Sequence, residues 1–462
     1  MSRGITRRRA LAAVGAAGLA GLAGCSSDDG TDAETTPTGT TMGDTSVSGT
    51  VTIGVLQPIS GDLQYYGQQG VWGFSSGLGY KAGEEPSVTA ESGSQTVSVG
   101  DVDYELLIRD TQFSADNAQS LATNLVTDED VDMLFGCASS GAATRVAETV
   151  AKQAGVPFMM GPAASASATA TAETCGPQIF RASENTAMDA RSGGKYVARE
   201  SDVSTVYLFG ADYSFGRAVV DNYETVLRDE GVEIVGKRFV PQGYSKWDGL
   251  LDNAVDAGAE GIVGGFTVAT LPALFTSYLQ GEYEFTVFGG FATEITNSVV
   301  GGLLQNQLGE PLTREKLDGL GVGPFTTRYH WNQYDNEINN TFVDGYVDAY
   351  GTVPDLFTSG TFTAASAIVQ GVEESGSTDG ADIASAMREM TVTDTPKGED
   401  GYTFQGYNNQ ARSEMTVANI VPTADEWNDT WGAAVQPSEP VARVSPDETT
   451  IPADSDEMDC SL

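Results

Sequence analysis

Short β-branched and aromatic runs alternate with segments of helical periodicity, and this alternation limits the possible folds more than any other feature of the chain. Most of the apolar runs are followed by a turn and a helix pattern; residues 142–154, for instance, place Val146 and Val150 opposite Arg145 and Glu148. The strand-like runs cover 51–56, 104–108, 131–135, 157–160, 203–209, 232–239, 261–264 and 285–288. The alternation predicts an α/β fold in which crossover helices connect parallel strands.

The strand and helix patterns fall into two consecutive sets, which predicts two doubly wound lobes. We expect residues 49–178 plus 326–398 to form the first lobe and residues 179–325 plus 399–426 to form the second. The segment 427–462 contains several prolines and many acids, so we expect an irregular acidic tail there.

The N-terminus carries two adjoining targeting patterns. Paired arginines in Thr6-Arg7-Arg8-Arg9 precede an apolar stretch that is short for a transmembrane helix, and Leu22-Ala23-Gly24-Cys25 follows. The first pattern resembles a twin-arginine export signal and the second a lipobox, which predicts cleavage after residue 24 and lipid attachment to Cys25. The alternative is a short membrane anchor with a chance cysteine behind it. Residues 25–48 are polar and predict a flexible spacer that holds the folded body at the extracellular face of the membrane.

The chain is strongly acidic, with 64 acidic against 24 basic residues and a formal charge of −40. Such a charge argues against nucleic acid or an anionic membrane surface as a partner. Because concentrated salt screens self-repulsion over a few ångströms, we interpret the acidity as adaptation to a hypersaline medium.

The four cysteines lack the short paired spacings of metal sites, and the chain has a single histidine. We therefore expect no metal and no cofactor. Cys137 and Cys175 can form a disulfide outside the cell, or remain as buried thiols. Two sequons, at Asn339 and Asn428, permit glycosylation.

Five phrases resemble the type I solute-binding proteins of ABC importers, the family that binds branched-chain amino acids and related small amides or acids. They occur in the family's order and span about residues 51–421. The phrases are VTIGVLQPISGDLQYYG, LFGCASSGAATRVAE, GVPFMMGPAASASA, YLFGADYSFGRA and YVDAYGTVPDLFTSGTFTAASAIVQG.

The resemblance implies two lobes that are joined by a three-strand hinge and close on a ligand between them. In the family's amino-acid binders the ligand carboxylate is held after the third and fourth strands. Those positions correspond to Ser140, with Ser139 beside it, and to Ser165 with the carbonyl of Ala163. Independently, residues 139–141 follow a strand where a helix begins, a place that suits an anion. The alternative role for either serine is a helix N-cap.

The resemblance also implies the side walls of the site. Tyr66 matches an aromatic residue of the first turn, and Phe215 and Phe266 replace tyrosines on the second lobe. The family's amino-acid binders have a Glu for the ligand ammonium where this chain has Gly-Gly-Phe at 289–291. Either Glu294 or Asp212 substitutes, or the ligand is a small carboxylate or amide that lacks an amino group.

An enzyme is the main competing class. Ser139 or Ser140 could act as a nucleophile, but the flanking glycines of a nucleophile elbow are incomplete and His330 would have to be the base. His330 is expected instead at the surface or the hinge. We therefore predict a monomeric binding protein that delivers its ligand to a membrane permease driven by an ATPase. The alternative within the binding class is a sensor lipoprotein that signals through a separate protein.

Overall fold

The computed structural model describes residues 47–288 and 293–462. The predicted signal at 1–24 and most of the spacer at 25–48, including Cys25, lie outside the described residues. Phe291 lies outside them as well. The tests of those expectations are therefore biochemical rather than structural.

The first part of the chain builds a six-stranded sheet with the strand order β2-β3-β1-β4-β5-β6. All neighbouring strands are parallel except the β2–β3 hairpin. A π-helical turn at Ala147–Ala151 joins two of its helices, α3 and α4. The elements are β1 Gly49–Gln57, α1 Gln64–Ala82, β2 Gly93–Val99, β3 Val102–Asp110, α2 Ala115–Thr127, β4 Met133–Gly136, α3 Ser140–Val146, α4 Lys152–Ala154, β5 Phe158–Met160, α5 Ser167–Ala170 and β6 Ile179–Arg181.

The next part builds a second sheet of four parallel strands, ordered β10-β9-β7-β8. A π-helical turn at Ala190–Gly194 connects its first two helices. The elements are α6 Thr186–Asp189, α7 Lys195–Glu200, β7 Thr205–Ala211, α8 Ser214–Asp229, β8 Glu233–Val240, α9 Asp248–Asp256, β9 Gly261–Gly265, α10 Leu271–Gln280, β10 Thr286–Phe288, α11 Glu294–Leu308 and α12 Arg314–Asp318.

The remaining elements return to the first sheet, cross again to the second, and end in the tail. They are β11 Phe325–Thr326, α13 Glu337–Tyr350, α14 Thr358–Ser375, α15 Gly380–Ala386, β12 Thr391–Val392, β13 Tyr402–Phe404, β14 Ala411–Ser413, β15 Met415–Ala418, β16 Ile420–Pro422, a 3₁₀ turn Asp425–Trp427, α16 Asn428–Trp431, β17 Val435–Pro437, β18 Ala442–Val444 and α17 Pro446–Thr449.

Each large sheet is covered on both faces because its strands are apolar on both sides. In β1, Ile53 and Val55 pack with α1 and α14, whereas Leu56 packs with α2 and α3. In β7, Leu208 and Phe209 likewise enter separate clusters on opposite faces. This two-sided burial is typical of parallel sheets and confirms the predicted doubly wound α/β class.

Two predicted lobe boundaries are wrong. Strand β6 pairs with β5, so the first lobe continues to Arg181 instead of ending at 178. Tyr402, Phe404 and Ala411 pack into the core of the first sheet, so residues 399–413 do not belong to the second lobe. Short strands show no lobe preference in their own sequence, because their partners lie far away along the chain.

The segment 427–462 is ordered and packed, contrary to the predicted irregular tail. Strand β17 pairs with β16, and β18 pairs with β15, which in turn pairs with β11. Trp431 and Val435 are fully buried. The acidic, proline-rich composition was misleading because a few apolar side chains are enough to dock a short strand on an existing sheet edge.

A disulfide joins Cys175 to Cys460, so of the two alternatives left open for Cys137 and Cys175 the bond between them does not form. Cys137 is instead a buried thiol whose pKa is raised by burial, so it stays protonated. The bond ties the end of the tail to the first lobe. Cysteine spacing alone does not determine such pairings.

Two further surface expectations are resolved by burial. Asn339 is 1% exposed, and its side-chain amide forms hydrogen bonds with Tyr329, Trp331 and Tyr334. The sequon at Asn339 is therefore not accessible to glycosylation, whereas Asn428 is exposed. His330 is buried against the rings of Trp331 and Trp431 rather than lying at the surface. Across 47–288 and 293–462, every helix is too short or too polar to cross a membrane.

Candidate functional site

A cavity of about 130 Å³ lies between the two large sheets and is lined by both lobes. A single water needs roughly 10–15 Å³ of such volume, so the cavity has room for on the order of ten non-hydrogen atoms. Its wall is formed by Tyr66, Phe113, Ala138, Ser140, Pro162, Ala164, Asp189, Tyr213, Phe215, Val219, Tyr223, Val263, Gly264, Phe266, Thr267, Thr293, Thr296, Thr326, Arg328, Leu356 and Phe357.

The strand order explains why the cavity forms at this place. In the first sheet β1 is flanked by β3 on one side and β4 on the other, and in the second sheet β7 is flanked by β8 and β9. At such switch points the connections diverge to opposite faces and leave a crevice at the carboxyl ends of the strands. Ala138 and Ser140 follow β4, and Phe266 and Thr267 follow β9, so both crevices face the cavity.

The turn that presents Ser140 requires glycine at its start. Gly136 ends β4 with φ of +128°, and a Cβ at this position would lie 2.4 Å from the Leu56 carbonyl oxygen. No other residue type fits this close approach of β4 to β1. The tight turn places Ser140 at the first position of α3, facing the cavity.

Ser140 and Ser165 meet, but they do not have equal access to the cavity. The Ser140 hydroxyl oxygen accepts a hydrogen bond from the Ser165 N–H at 3.1 Å, and Ser140 lines the wall. Ser165 is fully buried behind it, and its hydroxyl bonds to Ser167 at 2.7 Å. Ser139 and Ala163 are also buried and do not line the cavity.

Three of the predicted wall residues line the cavity: Tyr66, Phe215 and Phe266. The Tyr66 hydroxyl oxygen also accepts the N–H of Val268 at 3.0 Å, which links the first lobe to the second beside the cavity. Burial raises the pKa of Tyr66 to about 12, so its proton remains available for donation.

Neither acid considered for a ligand ammonium lies in the wall. Glu294 does not line the cavity, and burial followed by the nearby charge of Asp355 raises the pKa of Glu294 to about 7. Asp212 is exposed and pairs with Arg217. A carboxylate partner for an ammonium group is therefore missing at both predicted positions.

Sequence reasoning missed three charged residues at the site. Arg328 and Asp189 line the cavity and form an ion pair, with Arg328 Nε donating to Asp189 Oδ1 at 2.8 Å. Arg181 lies behind Ser165 and donates to its carbonyl oxygen at 2.7 Å. The scarcity of basic residues in this chain, and an arginine directly after the apolar pair Ile179-Phe180, were signals that could have identified Arg181.

Comparison with known proteins agrees with this architecture. A family described as periplasmic binding protein matches residues 50–425. The chain belongs to the periplasmic binding protein family. Because members of this family bind solutes, the assignment confirms the expectation of a binding protein rather than an enzyme.

Solved structures of this periplasmic binding protein fold resemble the chain over most of their length. A branched-chain amino acid transporter protein from Rhodopseudomonas palustris has TM-score 0.66 and 23% identity, covering 87% of this chain and 98% of its own. A leucine-binding protein from Thermotoga maritima has TM-score 0.68 and 18% identity, with 86% and 99% covered.

A third similar structure is a solute-binding protein from Rhodopseudomonas palustris in complex with 4-hydroxybenzoate. Its TM-score is 0.67 and its identity 17%, with 86% of this chain and 98% of that chain covered. At these identities the likeness establishes the type I fold with its two lobes. The comparison with curated proteins found no match.

Proposed function

We propose that this periplasmic binding protein captures a small carboxylate or amide with an apolar body and delivers it to the permease of an ABC importer. The observation that carries the proposal is the cavity between the lobes, at the switch points of both sheets and lined by both. Its wall combines aromatic rings with a few hydroxyls, the usual make-up of a small-molecule site.

Ligand capture is coupled to closure because each lobe supplies part of the wall. Ser140 and Tyr66 come from the first lobe, and Phe215, Phe266 and Thr267 from the second. A ligand that touches both sides stabilises the closed form to the extent that it binds that form more tightly. The hydrogen bond from Val268 N–H to Tyr66 adds a direct contact that exists only when the lobes are together.

Export and anchoring form part of the same proposal. The arginine pair supports export across the membrane, and Cys25 supports lipid attachment. In this proposal the protein is a haloarchaeal-like lipoprotein that is held at the extracellular face of the membrane and works as a monomer. The charge of −40 supports a medium of high salt. Replacing Cys25 by Ala should release the protein into the medium without changing its ligand affinity. The melting temperature of the parent protein should rise with salt concentration.

The binding proposal is tested by calorimetry with amino acids, their amides and the matching carboxylic acids. The Ser140→Ala variant should weaken binding of the cognate solute at least tenfold, because the hydroxyl faces the cavity. Ser139→Ala is the matched control, since Ser139 is buried outside the wall. Equal affinity in Ser140→Ala and the parent protein would contradict the proposed site.

A further inference from the structure

The charged groups in the cavity wall neutralise each other. Among the described wall residues, only Asp189 and Arg328 carry a charge, and they form an ion pair. Residues 289–292, which follow β10, are Gly-Gly-Phe-Ala and bring no charge. The wall itself therefore offers a ligand no free carboxylate.

Directly behind the wall lies a cation that has no carboxylate partner among residues 47–288 and 293–462. Arg181 is fully buried, and within the described part of the chain all acceptors of its guanidinium are neutral. Its guanidinium donates to the carbonyl oxygens of Ala163 at 3.1 Å and Ser165 at 2.7 Å, to Thr169 Oγ1 at 2.7 Å, and to Gln410 Oε1 at 2.5 Å. A fully buried charge is rarely left without an opposite one, because burial removes its hydration.

The surrounding ion pairs do not compensate this charge. Lys397 pairs with Glu184 at 2.7 Å, and Arg328 pairs with Asp189. Together with Arg181, these described residues comprise three cations and two carboxylates, which leaves one positive charge in excess. Burial and then the charge of Arg328 lower the pKa of Arg181 to about 9, so it remains a cation at neutral pH.

Arg181 also competes with any ammonium group for two carbonyl oxygens on this side of the cavity. The carbonyl oxygens of Ala163 and Ser165 both accept from its guanidinium. On another side, Asp355 lies behind Leu356 and Phe357, and its carboxylate already accepts from Tyr65 and from the N–H groups of Glu294 and Phe357. Both sets of acceptors are therefore already engaged in hydrogen bonds within the protein.

Three hydroxyl groups of the wall keep a proton that they can donate to a ligand. The oxygens of Ser140 and Tyr66 each accept a backbone N–H, from Ser165 and Val268, so their own protons remain for another acceptor. Thr267 is 6% exposed, lines the cavity, and its buried hydroxyl has no hydrogen-bond partner among the described residues. Three hydroxyls therefore border a cavity that has a positive charge behind one side.

We infer that the ligand is an amine-free monocarboxylate, and that Arg181 supplies the opposite charge without touching it. The carboxylate binds the Ser140 hydroxyl, and the apolar body packs against Phe215 and Phe266. Arg181 acts as a positioning residue. It holds Ser165, whose N–H donates to the Ser140 hydroxyl oxygen, and its charge makes the electrostatic potential at the ligand carboxylate more positive. This inference rests on the proposed function and specifies its ligand class.

The test compares three solutes that share one apolar body: 4-methylpentanoate, its primary amide and leucine, with benzoate and benzamide as a second pair. Calorimetry on the whole protein at one fixed salt concentration gives each affinity. We expect the acid to bind at least tenfold more tightly than both its amide and leucine. Tighter binding of leucine than of 4-methylpentanoate would overturn the inference.

A charge added next to Arg181 tests its role without removing it. The Thr169→Asp variant places a carboxylate beside the guanidinium, and Thr169→Asn is the neutral control of the same shape; Thr169 itself is buried outside the wall. We expect the acid-to-amide affinity ratio to fall at least fivefold in Thr169→Asp relative to Thr169→Asn. A merely structural role of Arg181 would change both affinities alike, and an equal ratio in the two variants contradicts the inference.

Removal of the charge gives a second, independent measurement. Arg181→Met should lower affinity for the acid at least fivefold more than affinity for the amide, and Arg181→Lys should keep most of the preference for the acid. If the Met variant does not fold, the Thr169 pair still decides. Binding of neutral or cationic solutes alone refutes the ligand class, whereas failure of every amino acid, amide and acid to bind refutes the proposed function.

Discussion

The bond between Cys175 and Cys460 should contribute a large share of the stability, because it closes most of the folded chain into one loop. The cysteines are 285 residues apart in sequence. Loop-closure entropy for a loop of that length is about −19 cal/mol/K, or about 5.6 kcal/mol at 25 °C. Measured effects of native disulfides fall at about 2–5 kcal/mol, so we expect a loss near the upper end of that range in the double variant Cys175→Ser, Cys460→Ser.

Denaturant unfolding of the full chain, with and without a reducing agent, measures this contribution. Reduction should destabilise the parent protein by the same amount as the double substitution, and should leave the double variant unchanged. Cys137→Ala is the matched control, because it removes a buried thiol outside the bond. A loss below about 1 kcal/mol, or peptide mapping that finds Cys460 unpaired, would refute the argument.

Three further predictions concern contacts behind and beside the cavity. Tyr66→Phe leaves the buried N–H of Val268 without its acceptor, so it should lower the unfolding free energy by about 1–3 kcal/mol and weaken ligand binding. Unchanged ligand affinity by calorimetry would contradict this prediction. Lys397→Met leaves Glu184 as a buried unpaired charge and should cost about 3–5 kcal/mol, part of which returns when Glu184→Gln is added; no recovery would contradict the ion-pair account. The pKa of Glu294 is raised to about 7 in the folded protein from an ordinary 4.5, so its stabilising contribution is complete below pH 4.5 and is lost as pH rises through 7. The difference in unfolding free energy between the parent protein and Glu294→Gln should change by up to about 3 kcal/mol across that window, and a flat difference would be contrary evidence.

The long elements could be predicted from the sequence because local pattern determines them. The run at 51–56 is the core of β1, Gly49–Gln57, and the helical pattern at 142–154 is the continuous helix that begins at Ser140. Strand β1 is buried almost continuously from Val51 onward, whereas burial along the helix follows the helical period. Both patterns are local and need no knowledge of the rest of the chain. The same holds for Ser140, since a strand end followed by a helix start is a local feature.

The tail and the charged groups behind the site could not be predicted in this way. Strands β17 and β18 have three residues each, and their partners β16 and β15 are identified only by the folded structure. The pairing of Arg328 with Asp189 spans 139 residues, and that of Lys397 with Glu184 spans 213. Residue type alone does not show which of many acids lies next to a given cation. The family match ends at residue 425, so the resemblance offered no guide to the tail either.

The net charge of −40 and the buried excess cation act on an anionic ligand at different ranges, and their balance predicts an unusual salt dependence. The surface charge repels an anion over about 30 Å at 0.01 M salt but only about 3 Å at 1 M. The Arg181 charge is fully buried and acts over a short distance, so salt screens it far less. Association of the carboxylate should therefore become faster as salt increases, whereas association of its neutral amide should change little. Stopped-flow measurement of tryptophan fluorescence with both solutes separates the two effects. If the association rate of the acid instead falls as salt increases, as it does when a surface attracts its ligand, the acidic exterior does not oppose anion capture.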